Sequence, residues 1–133
     1  MKVRSTFPSM SGMHFFLVNK QISPSLWKPI YKSEIKAAAK GYYEWSMVNL
    51  LSSDIAGEDV DREVKIEFYQ SAKSGKHKHI ASVALTLAQI KEGQQEYNLV
   101  DKKSRPIGEH KMNFVQLEVK KRHSFLEYIF GGC

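Results

Sequence analysis

Cysteine is almost missing from this chain. Cys133, at the last position, is the only one, so no disulfide within the chain is possible and nothing points to an oxidising compartment. Long apolar runs are missing too. Stretches such as residues 15–18, FFLV, fall far short of the roughly 20 residues that cross a bilayer, and the N-terminus carries no apolar signal-peptide core. The expectation is a soluble, cytoplasmic protein whose membrane contacts are peripheral. Enzyme signatures are also lacking: there is no G-x-S-x-G elbow, glycine-rich phosphate loop, H-E-x-x-H or motif-placed carboxylate pair. No catalytic residue is expected. No RNA-binding signature occurs, and glutamates interrupt the strand aromatics, so nucleic acid is not an expected partner.

Acids are fewer than bases, 14 against 20, and the resulting charge of +6 favours anionic partners. With 133 residues, 42% of them hydrophobic, the chain suits one core, and two domains would be hard to fit.

Patterning favours strands. Residues 13–19, MHFFLVN, are aromatic and β-branched between Ser11-Gly12 and Ser23-Pro24, as in a buried strand. In SPSLWKPIYKSEIK a period of two puts Lys28, Ile30, Lys32, Glu34 and Lys36 on one basic face, with Trp27, Tyr31 and Ile35 on the other. Residues 37–40 are too short for a helix and lead into a turn at Gly41. Residues 42–51 read as a strand carrying Tyr43, Trp45 and Met47, followed by the polar connection SSDIAGEDVD. REVKIEFY shows the cleanest alternation, with Val64, Ile66 and Phe68 inward, and IASVALTL repeats it with Val83, Leu85 and Leu87. Thr86 and Gln89 form a capping-box pattern and Gly93 a stop, predicting one short helical turn. Residues 96–101 make a brief strand, KKSRPIG a turn, and residues 112–120 a strand with Val115, Leu117 and Val119 inward. Seven or eight short strands with turns between them predict an all-β antiparallel sandwich.

Between the two best strands lies YQSAKSGKHKHI, residues 69–80, with three lysines, two histidines and no acid. Taken residue by residue, its ordinary reading is a solvated loop. His77 and His79 have no third metal ligand close in sequence, so no metal site is expected. His14 reads as a strand residue rather than a base, and Trp27, Tyr43, Trp45 and the methionines read as core. Asp54, Glu58, Asp59 and Asp61 read as a solvated loop, and Cys133 as a linker residue rather than a nucleophile.

The run IEFYQSAKSGKHKHIA resembles the third calcium loop of a C2 domain, usually Y-D-x-D-x-D-G-x-x-D-x-I-G, with Tyr69, Gly75, His77 and Ile80 in frame. LTLAQIKEG is similar to the S-L-x-E-L-x-x-G segment of copines, and WKPIYKSEIK to their W-x-x-V-Y-(K/R)-(S/T)-E-V-I-K strand. HSFLEYIFGGC resembles the copine element S/T-F-L-(D/E)-Y-I-x-G-G, which joins the second C2 domain to the von Willebrand factor A-like domain. The resemblance therefore implies a C2-type sandwich over residues 1–122, its first strand incomplete or not, and a junction over residues 123–133.

Departures from that family pattern shape the expected function. The loop positions that hold aspartates in the family are Gln70, Ala72, Ser74 and Lys78 here, and the first loop, PSMSGMHFF, puts Met13-His14 where S-D-P would stand. Calcium takes about six to eight oxygen ligands, with carboxylates offsetting its charge, so no calcium and no other cofactor is expected. The resemblance instead suggests contact with an anionic phospholipid surface at the inner face of the plasma membrane. Candidate lipid-binding residues are Lys73, Lys76 and Lys78 in the loop and Lys28, Lys32 and Lys36 on the strand, the latter similar to a lysine cluster that some C2 domains use for phosphoinositides. Met10 and Met13 are candidate apolar probes, and His77 and His79 would add charge below about pH 6.5. The alternative is a scaffolding module without lipid affinity that packs on the A-like domain or another protein.

Overall fold

The chain is described by a computed structural model over residues 2–7, 11–39, 41–48 and 61–116. Among these residues nine strands and one short helix follow in order: β1 (Lys2–Ser5), β2 (Met13–Ser23), β3 (Leu26–Lys32), β4 (Lys36–Ala37), β5 (Tyr43–Glu44), β6 (Glu63–Gln70), β7 (Lys78–Thr86), α1 (Leu87–Lys91), β8 (Glu96–Val100) and β9 (Pro106–Gln116). Every pairing is antiparallel, along the path β3-β2-β6-β7-β8-β9-β1-β5, with β4 added to β2.

The path folds back on itself at its weakest seam, where β7 and β8 share the single pair Ser82↔Val100. The inward residues of both halves then meet in one cluster: Phe16, Val18, Ile66, Phe68, Val83 and Leu85 from one side, and Val3, Tyr97, Leu99, Met112 and Phe114 from the other. Aromatic rings fill its middle. Trp45 meets Phe16 edge-on at 5.2 Å and Phe68 at 5.6 Å, and Phe7 closes over Phe68 at 5.0 Å. Burying such rings contributes the dominant favourable term, since each removes a large apolar area from water.

The alternation expected in β6 and β7 is present, with Val64, Ile66, Phe68, Val83 and Leu85 all buried. The capping box is formed as expected: the Thr86 hydroxyl accepts from the Gln89 backbone N–H, and the Gln89 side chain accepts from the Thr86 N–H at 2.7 Å. Gly93 follows the helix with φ 87°.

Other expectations need correction. The strand expected over residues 42–51 is two residues long, Tyr43–Glu44; Trp45 still joins β1 through its N–H to the Val3 carbonyl, while Met47 is exposed and Val48 is buried in its place. The turn expected in KKSRPIG ends at Arg105, and β9 starts at Pro106. In β9 the inward residues ahead of the expected set are Met112 and Phe114, and a bulge follows between the Val3↔Phe114 and Lys2↔Gln116 pairs; the side chain of Val115 lies outside the described residues. Leu117, Val119, Met10, Asp54, Glu58, Asp59, Cys133 and the junction over residues 123–133 lie outside the described residues.

Candidate functional site

The loop between β6 and β7 is built from its own backbone. Gly75 takes φ 83° and donates its N–H to the Ala72 carbonyl at 3.0 Å, closing a tight turn that needs a left-handed residue. The Ala72 N–H in turn donates to His77 Nδ1 at 2.9 Å, which leaves Nε2 as the protonated nitrogen of the neutral ring. The His77 ring stands edge-on over Phe15 at 4.9 Å, and Phe15 stacks on Tyr69 at 5.5 Å. Phe15 lies on the face of the sheet turned away from the core, yet it is almost fully buried by these rings and by Lys32, whose Nζ sits 4.7 Å from its centroid. This small outer cluster holds the loop, and no periodicity could reveal it because its members come from β2, β3, β6 and the loop.

Gln70 ends β6, and its Nε2 donates to the Ser11 carbonyl at 3.4 Å; Ala72 makes the turn contacts just described. The Ser74 hydroxyl accepts from the Lys76 N–H at 3.4 Å, and Lys78 opens β7 opposite Gln70. Lys73, Lys76 and Lys78 are exposed, and none forms an ion pair among the described residues. Met13, 49% exposed, borders the loop because its carbonyl accepts the Ser71 N–H at 2.8 Å.

The three strand lysines do not share a face. β2 and β3 pair as Asn19↔Pro29 and then Val18↔Tyr31, so Ile30 is an extra residue and the alternation inverts across it. Lys28 consequently pairs with Lys20, whereas Lys32 pairs with Leu17 on the other face and Lys36 pairs with the inward His14. The same bulge separates Trp27 from Tyr31. Trp27 is half-exposed under Lys65, whose Nζ lies 4.5 Å from its ring, while Tyr31 packs on the core. The expected single basic face is thus absent, for a reason that a strict period of two cannot contain.

Beside the loop, the outer face of β6 and β7 carries an open groove of about 440 Å3. Its floor includes Glu67, Tyr69, His79 and Ser82, and the β8–β9 turn supplies a wall with Asp101, Lys102 and Ser104. Glu67 is well satisfied: it accepts from Asn19 Nδ2 at 2.9 Å, from the Tyr69 hydroxyl at 3.3 Å and from His79 Nε2 at 3.3 Å. Burial holds the His79 imidazole below the ordinary histidine value; Glu67 opposes this, while Lys102 and Lys65 reinforce it. Asp101 is kept below the usual carboxylate range by the Arg105 and Lys103 backbone N–H groups and the Arg105 guanidinium, which fix the wall. Among the described residues no group of three or more His, Cys, Asp or Glu is placed to hold a metal ion, and His77 and His79 point to different partners.

The architecture can be compared with known proteins. It superposes on the solved structure of BON1-C2B with a TM-score of 0.71, covering 88% of this chain and 87% of that one at 18% identity. The fold is therefore that of a C2 β-sandwich. In sequence the chain is 24% identical over 125 residues to Copine-A of Dictyostelium discoideum, which is 90% of this chain and 21% of that protein. It is 30% identical over 93 residues to Copine-C of the same organism, 67% of this chain and 17% of that protein. The chain is a copine-like C2 domain, and it spans about a fifth of the length of the curated relatives it matches. No family profile matches it.

Proposed function

We propose that this domain is a calcium-independent, non-catalytic C2 module that docks peripherally on anionic phospholipid at the cytoplasmic face of the plasma membrane, with the β6–β7 loop leading. One observation carries the reading: Lys73, Lys76 and Lys78 stand exposed, with no ion pair among the described residues, on the loop whose family pattern calls for aspartates, with the exposed Met13 beside them. The groups at the family's ligand positions do not suit calcium. They are an amide, a methyl, a hydroxyl and an ammonium at Gln70, Ala72, Ser74 and Lys78, and a hard dication needs several anionic oxygens. A cationic loop supplies directly the attraction that a bridging ion would otherwise give. Each lysine close to an anionic membrane contributes about 1 kcal/mol, so three give roughly 3 kcal/mol, fading within about one Debye length as salt rises.

Flotation with phosphatidylserine vesicles tests this. Binding is expected in chelator, weaker at high salt, and strongly weakened when Lys73, Lys76 and Lys78 are changed together to Glu. Absence of binding under every condition, or a saturable micromolar calcium site by calorimetry, overturns it. The outer groove favours a second reading, a docking face for a protein such as an A-like domain of the same polypeptide, because its fixed turn and mixed charges suit a polar protein surface. A chain continued past Cys133 that leaves the 101–105 turn as open to hydrogen exchange as before would count against that reading.

A further inference from the structure

The β2–β3 hairpin presents a surface that the loop reading leaves unused. β2 pairs with β6 as His14↔Gln70 at one end and Lys20↔Val64 at the other, so the hairpin tip stands at the opposite end of the sandwich from the loop. At about 3.3 Å per residue, the length of β2 separates them by about 30 Å. The tip, Pro24 and Ser25, is flanked by Ile22 and Leu26, 45% and 55% exposed, and then by the half-exposed Trp27. Single exposed aliphatic residues are ordinary, but apolar side chains gathered at one turn form the kind of patch that marks an interaction surface.

Charge narrows what covers them. Lys20 and Lys28 are directly opposite each other across the strand pair, and neither forms an ion pair among the described residues. Like charges in directly opposed positions work against the pairing, so the strands carry an electrostatic conflict that an anionic surface would relieve. No acid occurs in residues 20–28, KQISPSLWK, and Lys65 on the adjoining strand adds a third cation over Trp27. An apolar tip on a projecting hairpin, collared by cations and tryptophan, matches the layered chemistry of a bilayer surface: acyl chains inside, anionic headgroups outside.

We infer that the β2–β3 hairpin is a lipid-inserting element, in which Ile22 and Leu26 enter an anionic bilayer while Lys20 and Lys28 contact its headgroups. It acts independently of the loop. Where both ends engage, the domain holds two bilayer surfaces together.

The chain carries its own probe, since of its two tryptophans Trp45 is fully buried and Trp27 sits at the hairpin. Vesicles of phosphatidylcholine and phosphatidylserine with brominated acyl chains should quench Trp27 emission at saturating lipid, and Trp27→Phe should remove the quenched component. Ile22→Ser with Leu26→Ser should abolish quenching and vesicle clustering but leave flotation through the loop intact. Lys73, Lys76 and Lys78 changed together to Glu should abolish clustering yet preserve the quenching. Flotation of the unaltered protein without quenching overturns the hairpin assignment while leaving the loop reading standing. Absence of both overturns both, and self-association that Ile22→Ser with Leu26→Ser dissolves in the absence of lipid makes the tip a protein interface and overturns the assignment.

Discussion

His14 lies flat against Tyr43, with ring centroids 4.1 Å apart and planes 16° from parallel, and among the described residues neither ring nitrogen has a partner at hydrogen-bond geometry. The side chain is fully buried, with Phe7 edge-on at 4.9 Å, and Lys36 is its cross-strand partner. Burial pushes its imidazole below the ordinary histidine value, opposed weakly by the Ser11 backbone.

Acid sensitivity follows from that position. Below about pH 6.5 the unfolded chain binds a proton at this histidine while the folded chain does not, so stability falls with pH until the folded imidazole titrates in turn. His79 shifts in the same direction and adds to the slope. His14→Phe removes an unsatisfied buried polar group, which costs about 1–3 kcal/mol in its neutral form. Urea denaturation should therefore show the variant at least as stable at pH 7.5 and clearly more stable at pH 5. An unchanged pH slope would refute the assignment.

Glu67 is the hub of the outer face, and two substitutions separate its roles. Glu67→Ala leaves the nearly buried Asn19 amide with only the Lys65 carbonyl at 3.3 Å, and should destabilise the fold by about 1–3 kcal/mol. Glu67→Gln keeps an acceptor but removes the anion that pulls the His79 proton on, so the His79 titration should move further down. Proton NMR of the imidazole resonances gives the answer, and an upward shift in Glu67→Gln would contradict the arrangement.

Gly12 and Gly75 both need positive φ, at 76° and 83°, but only one is crowded. A Cβ at Gly12 would lie 2.6 Å from Gln70 Nε2, whereas Gly75 has open space around it. Alanine at either position meets the left-handed penalty of roughly 1–2 kcal/mol. Gly12→Ala should cost more, because it also displaces Gln70 from the Ser11 carbonyl. In a Gln70→Ala background the two costs should become equal, and thermal melts of the four variants would show whether they do.

Much of this fold was legible because it rests on local rules. The alternation of β6 and β7, the Thr86–Gln89 box and the glycine stop at Gly93 are each written within a few residues. What escaped are relations between strands. The bulge at Ile30 depends on how β3 seats against β2, and it breaks a face that a strict period of two had drawn through Lys28, Lys32 and Lys36. Exposure of Trp27 follows from the same bulge. At the site, the lysines and the missing acids were readable one position at a time, but the outer cluster of Phe15, Tyr69 and His77, and the acceptor role of Glu67, join residues far apart in sequence. Two histidines only two positions apart, His77 and His79, also proved to answer to different partners.

The separation of Lys28 from Lys32 leads to the sharpest contrast between variants. Four strand residues span about 13 Å, more than the roughly 8 Å Debye length at physiological salt, so the two cations act on different neighbourhoods. Lys32 covers Phe15, which carries the His77 ring of the loop, while Lys28 stands opposite Lys20 beside the hairpin tip. Reversing a charge removes one attraction of about 1 kcal/mol and adds a repulsion of similar size, together worth roughly thirtyfold in affinity. Lys32→Glu should therefore weaken flotation on phosphatidylserine vesicles by up to that factor while leaving Trp27 quenching in place. Lys28→Glu should do the reverse. Equal losses in both assays for both variants would mean that the lysines act as one patch, and that the inversion at Ile30 has no bearing on how the domain meets a membrane.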